Sequence, residues 1–381
     1  MRFSVGRQTF AEAVGWAARG LSSRPSVPVL AGARLEVCDG RLTVTGTDAD
    51  VAAGIALDVD RAVDGVALVH GRLLADIVRV LPDHPVEVTV AGSELEVTCG
   101  AAGFALPVMP VEEHPGTPPL PAAAGTVAAS AFAAAVAQVT GSAAREDAVP
   151  VLTAVRCAFS GTSITLLATD RYRLAERVLA WQPLDAAIAL EALVPARTLA
   201  GVAKAYAALG GPITLAVGAG PHPGTTGGLL GVCGPDRWLT TRLFDDGQYP
   251  AVQRLLDAAR PLHIRVAVAD LLDAVRRVAL VADAHTPVTL TFTGGRVRVE
   301  ARGAYQARAH DEVAADHDGA PVTMAFNAPY LLDGLLALAS PVALFRLADG
   351  VKPPLLTGAT DDGSAATDDV RYLVQPLRAR P

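Results

Sequence analysis

Four stretches of the sequence bring chemically capable side chains close together. Asp48 with Asp50, and Asp170 with Glu176, are carboxylate pairs of the kind that serve as general acid and base or hold a divalent cation. His310 and His317 flank Asp311, Glu312 and Asp316, a set able to ligate a metal, although its spacing matches no tight site. Gly161-Thr162-Ser163 places a hydroxyl in a turn without forming a G-x-S-x-G elbow, and no glycine-rich phosphate loop follows a strand. Both carboxylate pairs stand at the ends of strand-like runs, with no histidine or nucleophile near them in sequence. Aspartates at such places cap turns through their own side chains. A nuclease or hydrolase working through Asp48 and Asp170 would need partners that the spacing does not supply. Nothing in the pattern requires an enzyme.

Those turns belong to a repeat. Val149-Pro150-Val151-Leu152 runs to Arg156, turns at Gly161-Thr162, and resumes from Ile164 to Thr169-Asp170-Arg171-Tyr172-Arg173-Leu174. Val27-Pro28-Val29-Leu30 runs to Arg34, turns at Asp39-Gly40, and resumes from Leu42 to Thr47-Asp48, 122 residues earlier throughout. A fainter third copy passes from Thr286 to Leu290, through Gly294-Gly295, to Val297–Glu300. The chain therefore reads as three units, and 381 residues allow each a core of its own.

Alternation and helical spacing give each unit the order strand, helix, strands, helix, strands, an α+β pattern. Phe10, Val14 and Ala17 mark the first helix, and Leu74, Ile77, Val78 and Leu81 mark the second, ended by Pro82. Helices are expected from about Ala131 to Val139, over Leu199, Val202, Tyr206 and Leu209, near Asp270 to Val281, and from Pro329 to Ala339. Proline-marked linkers run from Glu112 to Pro119 and around Tyr249-Pro250, and Pro221–Gly228 reads as a loop insertion. Expected domains are 1–120, 126–250 and 261–381.

A net charge of −7 argues against a surface that coats nucleic acid, so any such contact must be local. Arg72 and Arg79 recur 125 residues later as Arg197 and Lys204, each pair on one helical face. The third unit has Tyr330 and Ala337 there instead. Such faces either meet solvent or look at phosphates. Cys38, Cys99, Cys157 and Cys233 stand far apart, which reads as buried thiols in a cytoplasmic protein. No window is apolar enough to cross a bilayer.

Taken in order, Arg24-Pro25 through Leu30, Thr47-Asp48, Ala168 through Ala175, Tyr249-Pro250, Phe326-Asn327 with Tyr330-Leu331-Leu332-Asp333, and Tyr372 to Arg378 resemble the bacterial DNA polymerase III beta subunit family, the replicative sliding clamps. The resemblance covers essentially the whole chain. Tyr172 in its motif, with the arginine-rich and lysine-poor composition, is similar to actinobacterial members.

The resemblance implies three repeated domains of the DNA clamp fold, two helices packed on antiparallel sheets in each, closing as a head-to-tail dimeric ring. It implies no catalysis, cofactor or metal. Its partners would be double-stranded DNA without sequence preference, a second copy of the chain, and the replicative polymerase, clamp loader and repair proteins through short peptides. The peptide pocket would comprise Leu152, Thr169, Arg171, Tyr172, Arg173, Leu174, Pro250, Arg254, Leu255, Asn327, Tyr330, Val351, Pro353, Leu373, Gln375, Pro376, Leu377 and Arg378. DNA would be centred by Arg24, Arg72, Arg79, Arg197, Lys204, Arg276 and Arg277. Phe104 and Leu106 would meet Leu271 and Leu272 of the partner copy. Read from spacing alone, these residues also fit ordinary domain cores, as Leu271 does with Val275 and Val278.

One position departs from the family. Gln375 stands where methionine usually precedes proline, so a peptide anchor would meet an amide. This opens a reading as a specialised second clamp, for instance one that tolerates a natural product aimed at the pocket. A further reading is a scaffold of the same fold that does not encircle DNA.

Overall fold

The computed structural model of the chain describes residues 1–22, 24–48, 50–146, 149–218, 228–244, 249–283, 286–317, 319–348, 352–360 and 369–377. Seven helices occur among them: α1 (Arg7–Ala17), α2 (Gly71–Val80), α3 (Ala129–Thr140), α4 (Ala196–Ala207), the single turn α5 (Gln253–Leu256), α6 (Val268–Ala279) and α7 (Ala328–Ala337). The six longer ones each bury one face, as their apolar spacing requires. Two begin at side-chain caps. His70 accepts from the Leu73 amide to start α2, and Asn327 accepts from the Tyr330 amide to start α7.

Residues 1–128, 182–185 and 210–245 form one compact unit on a fourteen-stranded sheet. Residues 129–181, 186–209 and 246–381 form the other, on a twelve-stranded sheet. The central repeat is thus divided, giving strands to both sheets. In the first unit, Val51–Asp58 pairs antiparallel with Arg237–Arg242, from Val51 opposite Thr241 to Ile55 opposite Arg237. In the second, Arg173–Ala180 pairs in the same sense with Val370–Val374, from Arg173 opposite Val374 to Arg177 opposite Val370. The two seams join equivalent strands of successive repeats.

The third repeat has its own version of the seam strand, Arg308–Asp316, which follows the hairpin Val288–Thr293 and Arg296–Arg302. One side pairs along its length with that hairpin. On the other side only Ala315 and Asp316 meet a strand, opposite Val266 and Arg265. The last strand of the first repeat, Ala102–Met109, is the counterpart case. Its residues 102–107 pair with Glu94–Cys99, and only Val108 and Met109 meet a second neighbour. Among the described residues, these two strands therefore keep an open edge over part of their length, at 308–313 and at 102–107.

Several sequence expectations change in detail. The Val-Pro-Val-Leu arms are not strand: Pro28–Ala31 and Pro150–Thr153 form 3-10 turns, because proline fixes φ and removes a ladder donor. Leu209 lies beyond α4 and is exposed, so the apolar stripe of that helix ends at Tyr206. Cys99 and Cys157 are buried as expected. Cys38, however, is exposed as the last strand residue before the Asp39-Gly40 turn, where both residues take positive φ, and Cys233 is half-buried. Most of the Pro221–Gly228 insertion lies outside the described residues.

Candidate functional site

The turn after Ser163–Thr169 is built by two side chains. Asp170 Oδ1 accepts from the amides of Tyr172 and Arg173, each at 3.0 Å, and Thr169 Oγ1 donates to the Arg173 carbonyl at 2.7 Å. Arg171 pays for this closure with a φ of 80°, a left-handed conformation that costs a non-glycine residue about 1–2 kcal/mol. The turn sends Arg171 and Tyr172 outward and Arg173 inward.

Arg173 is 4% exposed. Its Nε donates to Asp170 Oδ2 at 2.9 Å and its Nη1 to Asp333 Oδ2 at 2.6 Å. The guanidinium stands 4.3 Å from the centre of the Tyr330 ring, a cation–π contact. Burial opposes its charge, but Tyr372, Asp333 and Asp170 outweigh burial and hold its pKa above the ordinary arginine value. Tyr330 stacks on Tyr172 at 6.3 Å with planes 27° apart, and Tyr372 Oη donates to the Tyr330 carbonyl at 2.9 Å. Burial pushes the Tyr372 hydroxyl up to about 12. A cavity of about 390 Å³ opens here, with Arg145, Val149, Leu152, Tyr172, Tyr330 and Asp333 among its walls. Aromatic and aliphatic side chains share the walls with charged ones, Glu146 and Asp170 included, a mixture that suits a short peptide carrying both apolar and charged groups.

The structure brings Leu152, Arg171, Tyr172, Arg173 and Tyr330 to this one cavity. Thr169 is locked inside the turn, and Asn327 caps α7. Leu174 and Leu373 are core residues, packed with Leu167, Leu256 and Leu355 against Tyr249 and Val252. Pro250, Arg254 and Leu255 are exposed on or beside α5, and Pro353 is half-buried. The terminal segment is anchored by its backbone: Gln375 N donates to the Tyr172 carbonyl and Leu377 N to the Ala325 carbonyl, both at 2.7 Å. Gln375 itself is exposed, with its amide reaching only the Pro376 carbonyl. Water can therefore solvate that amide, and no burial penalty is stored there. Val351 and Arg378 lie outside the described residues. The expected pocket set lacked Asp170, Asp333, Arg145 and Val149, although Asp170, Asp333 and Val149 stood in the repeat and its motifs. The signal for Asp333 was present: it follows Tyr330 by three residues and so shares its helix face.

Of the paired carboxylates, Asp48 and Asp170 build turns, while Asp50 pairs with Arg242 and Glu176 with Arg371. Asp48 Oδ1 accepts from the amides of Asp50 and Val51, repeating the Asp170 turn without an arginine partner. His317 is buried against the Ala320 carbonyl, while His310, Asp311 and Glu312 lie along a strand.

The expected phosphate-facing cations differ in how free they are. Arg79 pairs with Asp76, Arg276 with Asp273 and Arg277 with Asp311. Arg72 donates to the carbonyls of Leu21 and Ser22. Among the described residues, Arg24, Arg197 and Lys204 are exposed with no carboxylate partner. Of the four expected interface residues, Leu106, Leu271 and Leu272 are buried within their own units, and Phe104 alone is exposed, on the open 102–107 edge.

Three models of the DNA polymerase III beta subunit match the chain: the N-terminal domain at residues 1–118, the central domain at 126–251 and the C-terminal domain at 253–371. The beta sliding clamp of Streptomyces coelicolor is 42% identical over 378 residues, covering 99% of each chain. A beta sliding clamp homolog named GriR from Streptomyces muensis is 38% identical over the same length and coverage. The crystal structure of the Pseudomonas aeruginosa sliding clamp bound to griselimycin superposes with a TM-score of 0.89 at 24% identity, covering 99% of each chain, a likeness of fold. The chain belongs to the DNA polymerase III beta subunit family, the bacterial beta sliding clamps, and is of the actinobacterial type.

Proposed function

We propose that the chain is a DNA sliding clamp, which encircles duplex DNA and tethers the replicative polymerase and other DNA-processing enzymes. The observation that supports encirclement most directly is the pair of open edges. The chain makes one kind of antiparallel seam twice and leaves one strand of each kind with its seam edge open, at 308–313 and 102–107. Two copies set head to tail would pair these edges at two equivalent places and close a ring, with Phe104 at each new seam. A ring needs few contacts to the duplex, because it is retained by topology rather than affinity. Contacts to phosphates suffice, and none to base edges are called for.

Processivity then follows from effective concentration. A polymerase bound to the ring by a short peptide rebinds the primer end faster than it diffuses away. The cavity beside Tyr172 and Tyr330, with exposed Leu255 and Leu377, supports that peptide site. In this reading the protein acts in the cytoplasm without catalysis or cofactor. No helix among the described residues is long and apolar enough to cross a membrane.

The test is loading onto a nicked circular plasmid by a clamp loader, followed by cutting. Protein that co-elutes with the circle and is released on linearisation behaves as a ring, and Phe104→Glu should abolish retention and give a monomer mass. A non-encircling scaffold would show no such dependence on the circle. A specialised copy with an altered peptide site is the second reading, motivated by Gln375. The exposure of its amide weighs against that motive.

A further inference from the structure

Three exposed side chains that the family resemblance assigns to the peptide site, Pro250, Arg254 and Leu255, sit on or beside α5, and α5 is a single turn. Four residues cannot hold a helix by themselves, since nucleation costs more than one turn returns. Something behind the turn must fix it. Leu256 contributes by inserting into the cluster of Leu167, Leu174, Leu355 and Leu373. That contact fixes depth but not rotation, because an apolar side chain has no directional bond.

Direction comes from Arg260. This residue is 8% exposed, and among the described residues no carboxylate pairs with its guanidinium. Its donors are spent on backbone carbonyls: Nη2 on Leu255 at 2.6 Å, Nη1 on Leu256 at 3.2 Å and on Ala258 at 2.8 Å, and Nε on Pro353 at 3.5 Å. The Leu255 and Leu256 carbonyls are among those that a helix leaves unsatisfied at its C-terminal end, and Ala258 lies in the loop just beyond it. The fourth belongs to the Pro353 segment, a separate part of the proposed site. One planar fork thus ties the two walls to each other, a task suited to arginine's fixed donor geometry. Arg371 adds a second tie, donating to Asp257 Oδ1 at 3.0 Å and to buried Glu176 at 2.7 Å.

We propose that Arg260 is a positioning residue for the partner-peptide site, holding α5 and the Pro353 segment in register so that Leu255 meets the peptide's apolar anchor. Arg260 does not touch the peptide; it acts through Leu255. The inference rests on the sliding-clamp reading and on Leu255 belonging to the peptide site.

A thermodynamic cycle on the full chain tests it, using a fluorescein-labelled peptide copied from the clamp-binding segment of the replicative polymerase. Anisotropy titrations compare the natural chain, Leu255→Ala, Arg260→Met and the double variant, with thermal melts on the same samples. Arg260→Met should weaken binding by about tenfold, and in the Leu255→Ala background it should add little, because coupled residues are not additive. Arg260→Lys keeps the charge but not the planar fork, and should fall between the two. If Leu255→Ala weakens binding but Arg260→Met binds like the natural chain, or if the two losses add in full, Arg260 does not work through Leu255 and the proposal is overturned. If Leu255→Ala itself changes nothing, the placement of the peptide site fails first. Should Arg260→Met melt far below the natural chain, the same cycle is read with Arg260→Lys.

Discussion

Arg173 and Asp333 are 160 residues apart in sequence and meet at 2.6 Å, tying the Asp170 turn to α7. Arg173 is buried, whereas Asp333 keeps contact with solvent. Removing the carboxylate leaves Asp170, among the described residues, as the one counterion for a desolvated guanidinium. Asp333→Asn should lower stability by about 1–3 kcal/mol, the range for a hydrogen bond to a charged group, discounted because one partner is solvated. Chemical denaturation monitored by tyrosine fluorescence would measure it. Peptide affinity should fall in the same variant, since the guanidinium over Tyr330 is then held by one carboxylate instead of two.

One equivalent pair shows how differently the two seams are filled. Glu176 faces Arg371 in the second unit, and 122 residues earlier Gly54 faces Trp238 in the first. A Cβ on Gly54 would stand 2.6 Å from ring carbons of Trp238, closer than van der Waals contact permits. Gly54→Ala should therefore cost about 1–3 kcal/mol, as other overpacking substitutions do. The expected signature is a lower melting temperature with a changed tryptophan emission; an unchanged melt would mean that the indole has room to move.

Among the described residues, Arg24, Arg197 and Lys204 are the expected DNA contacts whose side chains have no protein partner. Affinity for a linear duplex should then fall with salt at a logarithmic slope of about −3, rather than the roughly −6 of seven free cations. Lys204→Ala should reduce the slope by about one unit, and Arg79→Ala should leave it nearly unchanged. Filter-binding titrations across a salt series would distinguish the two.

Gln375 is solvated in the free protein, so its cost arises only when a peptide covers it. Gln375→Met should tighten binding of an apolar-anchored peptide by about threefold to tenfold. Equal affinities would mean that the bound peptide leaves the amide in water.

Burial pushes the Cys157 thiol from its ordinary 9.0 up to about 12. An unfolded chain sheds that proton first, so this contribution to stability is whole below about pH 9 and is lost as the pH rises toward 12. Cys157→Ala should flatten the alkaline limb between these values, measured by urea melts at about pH 8 and about pH 11. Tyr372, also raised to about 12, should leave a smaller slope above about pH 10.

Much of the fold was legible because the repeat supplied its own internal comparison. The strands after Gly40 and Gly161 and the helices over Phe10 and Leu74 follow from alternation and period, which report local burial. The 3-10 turns at Pro28 and Pro150 did not, since a short apolar run reads as strand until its proline is weighed. At the site, Tyr172, Arg173 and Tyr330 were named from their motifs, but the role of Asp333 was not. A buried arginine needs a counterion, and which of many aspartates supplies it depends on a contact across 160 residues that no local pattern encodes. The partitioning of Arg79, Arg276 and Arg277 into ion pairs was legible in part, because Asp76 and Asp273 stand three residues before their partners. The bond from Arg277 to Asp311 was not.

The division of the central repeat between two sheets has a consequence for recombination between related clamps. A chimera that exchanges residues 126–250 as a cassette would replace one strand at each of two seams at once. Both joints would then pair strands of different ancestry, Val51–Asp58 with a foreign Arg237–Arg242 strand and a foreign Arg173–Ala180 strand with Val370–Val374. Crossovers that keep each seam's two strands from one parent, however far apart in sequence, should yield viable hybrids more often than crossovers placed at the linkers.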